Sequence, residues 1–274
     1  MICSHNSTLR SAMNLDLSEK RALVCGASAG IGHACAIALA HLGARVTLVA
    51  RDPTRLAAAV AQLPKVARAD HDMLVLDLSD PQGAGRAVEE YIAKAGAIHI
   101  LINNTGGPPP GAMADATISQ LASAFSSLLL SAHALTQAVI PGMKAEGYGR
   151  IINISSTSVK QPIPNLGLSN AVRAAVSNWG KTLATELAPF GITVNSVLPG
   201  FVRTDRLTEI FKARSAKSGT PQAQLERDAI AEIPVGRFAH PHEIADAVAF
   251  LASPAAGYIN GIQLPVDGGR LKGL

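Results

Sequence analysis

Short apolar runs recur along the chain at 22–25, 45–50, 73–76, 98–102, 150–154, 192–197 and 262–266. Longer alanine- and leucine-rich segments lie between them at 54–63, 83–95, 117–145, 168–188 and 241–252. The runs have the length of buried strands and the segments the length of helices. Strands alternating with helices imply right-handed crossovers, which lay the strands parallel and place helices on both faces of the sheet. The pattern predicts an α/β fold with a doubly wound parallel sheet of about seven strands.

With 274 residues and 48% hydrophobic content, the chain is large enough for one sizeable core, so residues 13–274 read as a single domain. Residues 1–12 are polar and unpatterned ahead of Met13-Asn14-Leu15-Asp16-Leu17, the pattern of a disordered N-terminal extension. One stretch breaks the strand–helix rhythm. Residues 203–234, polar and carrying Ser215, Lys217, Ser218 and Gly219, follow directly on Leu198-Pro199-Gly200. An insertion beyond the carboxyl end of a strand sits on the ligand face of such a sheet, so this one is a candidate lid.

The first strand passes into the first helix through Cys25-Gly26-Ala27-Ser28-Ala29-Gly30-Ile31-Gly32. Gly26 permits the turn, Gly30 lets backbone approach a pyrophosphate, and Gly32 lets helix pack closely on strand. Unpaired amides at Ser28, Ala29, Ile31 and their neighbours, at the positive end of the helix dipole, then face phosphate charge. Together with the sheet, this is a Rossmann-type dinucleotide site.

The formal charge of +4 comes from scattered Lys and Arg, with no basic run interleaved with aromatics, which argues against nucleic acid as a partner. Cys3, Cys25 and Cys35 form an odd set with neither disulfide nor metal spacing. No apolar run approaches the length that spans a bilayer, and the first dozen residues lack the apolar centre of a signal peptide, so a cytoplasmic protein with a small-molecule substrate is expected.

Further motifs follow in order: Asp77 after the third strand, Asn103-Asn104-Thr105-Gly106 after the fourth, Asn153-Ile154-Ser155-Ser156, Pro199-Gly200-Phe201-Val202-Arg203-Thr204, and Val266-Asp267-Gly268-Gly269. On these the chain resembles the short-chain dehydrogenase/reductases over residues 15–269, and is similar to the 3-oxoacyl-[acyl-carrier-protein] reductases. The resemblance implies that Asp77 and Leu78 meet an adenine and that Asn104, Thr105 and Gly106 line its ribose. It also implies that Pro199, Gly200, Val202 and Thr204 hold the nicotinamide end. Relatives pair through helices matching 117–145 and 168–188 and through the last strand, which implies a homotetramer or dimer.

Coenzyme choice is read at the end of the second strand, where an acidic side chain accepts hydrogen bonds from a ribose diol and repels a 2'-phosphate. Ala50 stands there, followed by Arg51, whose guanidinium suits that phosphate, so NADP(H) is favoured over NAD(H). Asp52 is a competing neighbour for this cation.

The catalytic positions depart from the family. There a serine polarises the carbonyl and a tyrosine thirteen residues later moves the proton. A lysine four positions beyond lowers the phenol's pKa, and an asparagine on an earlier helix supports a water relay. In ungapped register Ser156 is the serine, Ser169 stands for the tyrosine, Arg173 for the lysine and Leu128 for the asparagine. A phenol begins near a pKa of about 10 and comes within reach of neutrality after a shift of about 3 to 5 units. An aliphatic hydroxyl, near water's value of about 15.7, does not, the gap of about 5 to 6 units being worth roughly 7 to 8 kcal/mol. Ser169 therefore cannot supply a base; it can relay a proton as a neutral hydroxyl, drawing on solvent or Lys160, while Arg173 offers forked donors to both nicotinamide-ribose hydroxyls.

The expected activity is NADP(H)-dependent hydride transfer to or from a carbonyl or alcohol carbon of a hydrophobic acyl or ring substrate, Leu128, Pro162, Ile163, Pro164 and Leu166 being apolar. The same replacements leave two alternatives: a catalytically silent coenzyme-binding sensor or partner subunit, and chemistry such as dehydration or enone reduction that needs no phenolate.

Overall fold

A computed structural model describes residues 13–65 and 70–273. The predicted extension at 1–12 lies outside them. Seven strands, β1 (Arg21–Cys25), β2 (Arg45–Ala50), β3 (Asp72–Val75), β4 (Ile100–Asn103), β5 (Gly149–Ile154), β6 (Ile192–Pro199) and β7 (Gln263–Val266), form one sheet in the order β3-β2-β1-β4-β5-β6-β7. Every pairing is parallel. The winding direction reverses between β1 and β4, so a crevice opens there beyond the strands' carboxyl ends.

Both faces are covered, which explains near-continuous apolar strands instead of alternating ones. On one face Ala22 and Val24 pack with α1 (Gly30–His41), α2 (Pro53–Val60) and the late helix α9 (Pro241–Ala252). On the other, Leu23 and Cys25 pack with α3 (Pro81–Ala95), α5 (Ser131–Glu146) and α6 (Gly167–Leu187). Burial pushes the Cys25 and Cys35 thiols up to about 12, so both act as small apolar side chains.

Two segments differ from the sequence reading. The helix predicted at 117–145 is α4 (Ile118–Phe125) joined to α5 by a π-helical turn, Ser126–Leu130. Serine hydroxyls supply its cause: Ser127 Oγ donates to Ser123 O at 3.0 Å and Ser131 Oγ to Ser127 O at 2.6 Å, competing with the α-helical ladder. The continuous run Ile118–Glu146 is also long and apolar enough to cross a membrane by length and composition, which the reading of short apolar runs missed; here α5 packs on α3. The second segment is the interruption at 203–234, which holds α7 (Asp205–Ser218) and α8 (Gln222–Ala231). They close over their own cluster of Phe211, Ala229, Ile233 and Phe238, with the rings of Phe211 and Phe238 stacked 5.8 Å apart.

Candidate active site

Gly26 and Gly30 take φ of 57° and 61°, in the left-handed region, and turn the chain from β1 into α1. Asn104, at the end of β4, staples this turn by donating Nδ2 to Cys25 O at 3.2 Å and Gly26 O at 3.3 Å. A Cβ at Gly32 would collide with Gly26 O and lie 2.7 Å from Asn104 Nδ2. Gly32→Ala is therefore expected to open the turn, lowering stability by about 1–3 kcal/mol and abolishing dinucleotide uptake, as thermal denaturation and fluorescence titration would report.

The start of α1 suits a phosphate. Its cap residue, Ala29, provides no side-chain hydrogen bond, and no acidic residue lies in the first turn, so the terminal amides keep their donors. The crevice beyond them has room. A Cβ at Gly106 would meet nothing within 4 Å, and one at Gly30 would meet only Thr204, across the cleft, at 3.5 Å. Thr204 also caps α7 by accepting from Leu207 N at 3.3 Å, and Val202 is held by a parallel bridge to Ala239.

At the far end of β2, Arg51 is exposed. Asp52 does not neutralise it: its Oδ1 caps α2, accepting from Thr54 N at 2.9 Å and Arg55 N at 3.1 Å. Asp77 lies near enough to feel the Arg51 cation. Its carboxyl is held below the ordinary value first by hydrogen bonds from Ser79 and then by that charge.

Ser169 and Arg173 meet at the carboxyl end of β5, next to the segment that carries Ser156. Ser156 follows the strand and begins a short 3-10 turn, accepting from Ser158 N at 3.1 Å. Ser169 and Arg173, one turn apart, share a face of α6. Arg173 Nε donates to Ser169 Oγ at 3.1 Å, and Nη1 donates to Ile154 O and Ser155 O, each at 3.1 Å. One side chain thus ties the strand end that carries Ser156 to the helix turn that carries Ser169. Burial, and secondarily the nearby Arg206 cation, push the guanidinium down to about 10, which still leaves it charged near neutrality. The fork expected to take both ribose hydroxyls is partly spent on protein acceptors, leaving Nη2.

Leu128 is 5% exposed and sits in the π turn above this arrangement. With Asn103, Thr105, Asn153, Ser155 and Arg173 it lines a cavity of about 20 Å³, room for a single water. Asn103 Nδ2 donates to Asn153 Oδ1 at 3.0 Å, while Asn103 Oδ1, Asn153 Nδ2 and Ser155 Oγ have no protein partner among the described residues.

The three tyrosines stand elsewhere: Tyr91 bonds Thr47 and Asp72, Tyr148 donates to Ala252 O, and Tyr258 is fully exposed. Lys160 is exposed on the turn after Ser156. The sequence reading passed over Arg206, whose Nη2 donates to Gly107 O at 3.3 Å and Pro108 O at 3.1 Å and so bridges α7 to the loop after β4. Its signal was a cation two residues beyond Thr204, at the start of the segment read as a lid.

A family model described as enoyl-(acyl carrier protein) reductase matches residues 26–270. The chain is a short-chain dehydrogenase/reductase. Within that family it is 35% identical over 258 residues to 3-oxoacyl-[acyl-carrier-protein] reductase FabG of Vibrio cholerae, covering 93% of this chain and 98% of the relative. It is 30% identical over 259 residues to the NADPH-dependent reductase BacG of Bacillus subtilis, covering 94% of this chain and all of the relative. Among solved structures, L-sorbose reductase from Gluconobacter frateurii, complexed with NADPH and L-sorbose, superposes with a TM-score of 0.89 at 33% identity, over 96% of this chain and all of that one. The parallel seven-stranded order of this short-chain dehydrogenase/reductase agrees with that likeness.

Proposed function

We propose that this protein is an NADP(H)-dependent oxidoreductase acting on a carbonyl or alcohol carbon of a hydrophobic acyl or ring substrate, with a proton relay that uses no phenol. When bound, the coenzyme supplies or accepts the hydride. The glycine turn and the free amides of α1 hold its pyrophosphate, Arg51 its 2'-phosphate, and Thr204 with Arg173 Nη2 its nicotinamide side. Ser156 donates a hydrogen bond to the substrate oxygen and stabilises negative charge as it develops.

Arg173 carries the reading. Because its Nε donates to Ser169 Oγ, the serine oxygen already accepts from a cation, which makes its own proton more acidic as a donor. Ser169 then passes that proton to the forming alkoxide and is resupplied from solvent. The hydroxyl stays neutral throughout, so no ionised base is required. The relatives are named as reductases, which does not favour a silent sensor.

Mixing the purified protein with NADPH and a panel of ketones, acyl thioesters and enones tests this by loss of nicotinamide absorbance. Consumption with a ketone or oxoacyl thioester is expected; NADPH binding without consumption by any class would refute it. Arg51→Ala is expected to weaken NADPH by about tenfold or more while NADH changes little, the loss of a charge-assisted phosphate contact. Parallel binding titrations with both coenzymes check this, and equal losses would contradict the 2'-phosphate assignment.

A further inference from the structure

Gly107 follows the Asn103–Gly106 motif, and two arginines converge on it from different helices. A Cβ there would stand 3.5 Å from Arg173 Nη2, on α6, and 3.9 Å from Arg206 Nη2, on α7, so both terminal nitrogens lie within 3.9 Å of one point in the cleft. Among the described residues neither guanidinium is paired with a carboxylate. Arg173 donates to Ser169 Oγ and two carbonyls, and Arg206 to the carbonyls of Gly107 and Pro108. Among the described residues the arginine–carboxylate pairs are elsewhere, at Arg237–Glu243 and Arg270–Glu232. Arg173 Nη2 and the Nε and Nη1 of Arg206 have no acceptor among those residues. Like charges held this close repel, and the Arg206 cation adds to the burial that depresses Arg173. An anion set between them would turn that repulsion into two attractions.

We propose that Arg173 and Arg206 form a subsite for a carboxylate carried by the carbonyl substrate, so that the preferred substrates are hydrophobic oxo acids. This rests on the hydride-transfer reading and narrows its substrate class. Arg206 supplies charge and a further donor: its Nη2 is spent on Gly107 O and Pro108 O, which leaves Nη1 to bond a carboxylate oxygen. Arg173 adds charge from the side while keeping its hold on Ser169 through Nε and on the coenzyme's nicotinamide side through Nη2, which places the anion close to the carbonyl that Ser156 and Ser169 address. Because Arg206 belongs to α7, in the segment read as a lid, a bound carboxylate would also fasten that helix over the cleft. The diphosphate of the coenzyme is the other anion within chemical reach, and binding measurements separate the two sources.

Two arms test the subsite. Calorimetry on the NADPH-saturated protein compares hexanoate with hexanamide, neither of which is reduced; steady-state rates compare a hydrophobic α-oxo acid with its methyl ester. Hexanoate is expected to bind and hexanamide not. The acid is expected to exceed the ester in kcat/KM by about tenfold or more, and R206M to bring that ratio close to one while the Kd of NADPH moves by less than about twofold. Equal binding of hexanoate and hexanamide, or an acid preference that survives R206M, would overturn the proposal. So would a tenfold loss of NADPH affinity in R206M with the acid preference intact, which assigns the anion to the coenzyme's diphosphate. If no carbonyl compound is turned over, the hydride-transfer reading fails by itself, and the calorimetric arm still decides whether a carboxylate binds.

Discussion

Ser156→Ala is expected to lower kcat by about 10²–10³-fold while leaving the Kd of NADPH nearly unchanged. The size follows from the cost of deleting one preorganised donor aimed at a developing oxyanion. Here the loss should sit at the upper end, because a neutral Ser169 transfers its proton late and leaves more charge on the substrate oxygen for Ser156 to stabilise. The substitution is structurally mild: Ser156 is half-buried and its hydroxyl accepts a single local bond from Ser158 N. A fall in kcat/KM with unchanged thermal stability is the expected signature. A fall of less than about threefold would place the oxyanion donor elsewhere.

The second large effect is an interaction between two positions. Ser169 is 9% exposed and sits directly against the Arg173 guanidinium. Ser169→Tyr alone forces a ring into space that guanidinium fills, and overpacking of this kind costs about 1–3 kcal/mol. It should cut activity sharply. Arg173→Lys alone removes the planar fork that serves Ser169 Oγ, Ile154 O and Ser155 O at once, and a point-like ammonium cannot reach all three. The double variant places at these positions the tyrosine and lysine that the ungapped register implies for the family. It should recover much of the lost turnover, so that the two substitutions are strongly non-additive.

The pH profile distinguishes the two chemistries. With a serine at position 169 and Arg173 keeping its proton until the pH reaches about 10, kcat is expected to show no limb from either position between neutrality and that point. The double variant gains a phenol, and a new limb should appear within that range. The sign for stability is set by the same depressed value. Burial disfavours the cation in the folded state, so its cost is present below pH of about 10 and is relieved as pH rises from there toward the ordinary guanidinium value.

Much of this was legible in the chain because the signals were local. The seven apolar runs became the seven strands, and Gly26 and Gly30 marked the turn from β1 into α1, since each takes a left-handed backbone conformation that its own segment sets. Motif order placed Ser169 and Arg173 beside the strand end that leads into Ser156, and Arg173 is seen to bond both Ser169 Oγ and the carbonyl of Ser155. What was not legible depends on partners distant in sequence. Asn104 staples a turn 78 residues away, Arg173 spends two of its three nitrogens on the protein, and Arg206 reaches the carbonyl of Gly107 across 99 residues. The π turn at Leu128 was missed for another reason: its cause is serine hydroxyls competing for carbonyls, and the helical period of Ile118–Glu146 hides it.

The central claim is hydride transfer to a carbonyl beside Ser156, Ser169 and Arg173, and isotope tracing tests it most directly. With NADPH deuterated at the transferring carbon and a hydrophobic ketone, deuterium is expected on the carbinol carbon of the product, at a rate that Ser156→Ala suppresses. Tight NADPH binding with no deuterium at that carbon in any ketone or oxoacyl thioester would contradict it.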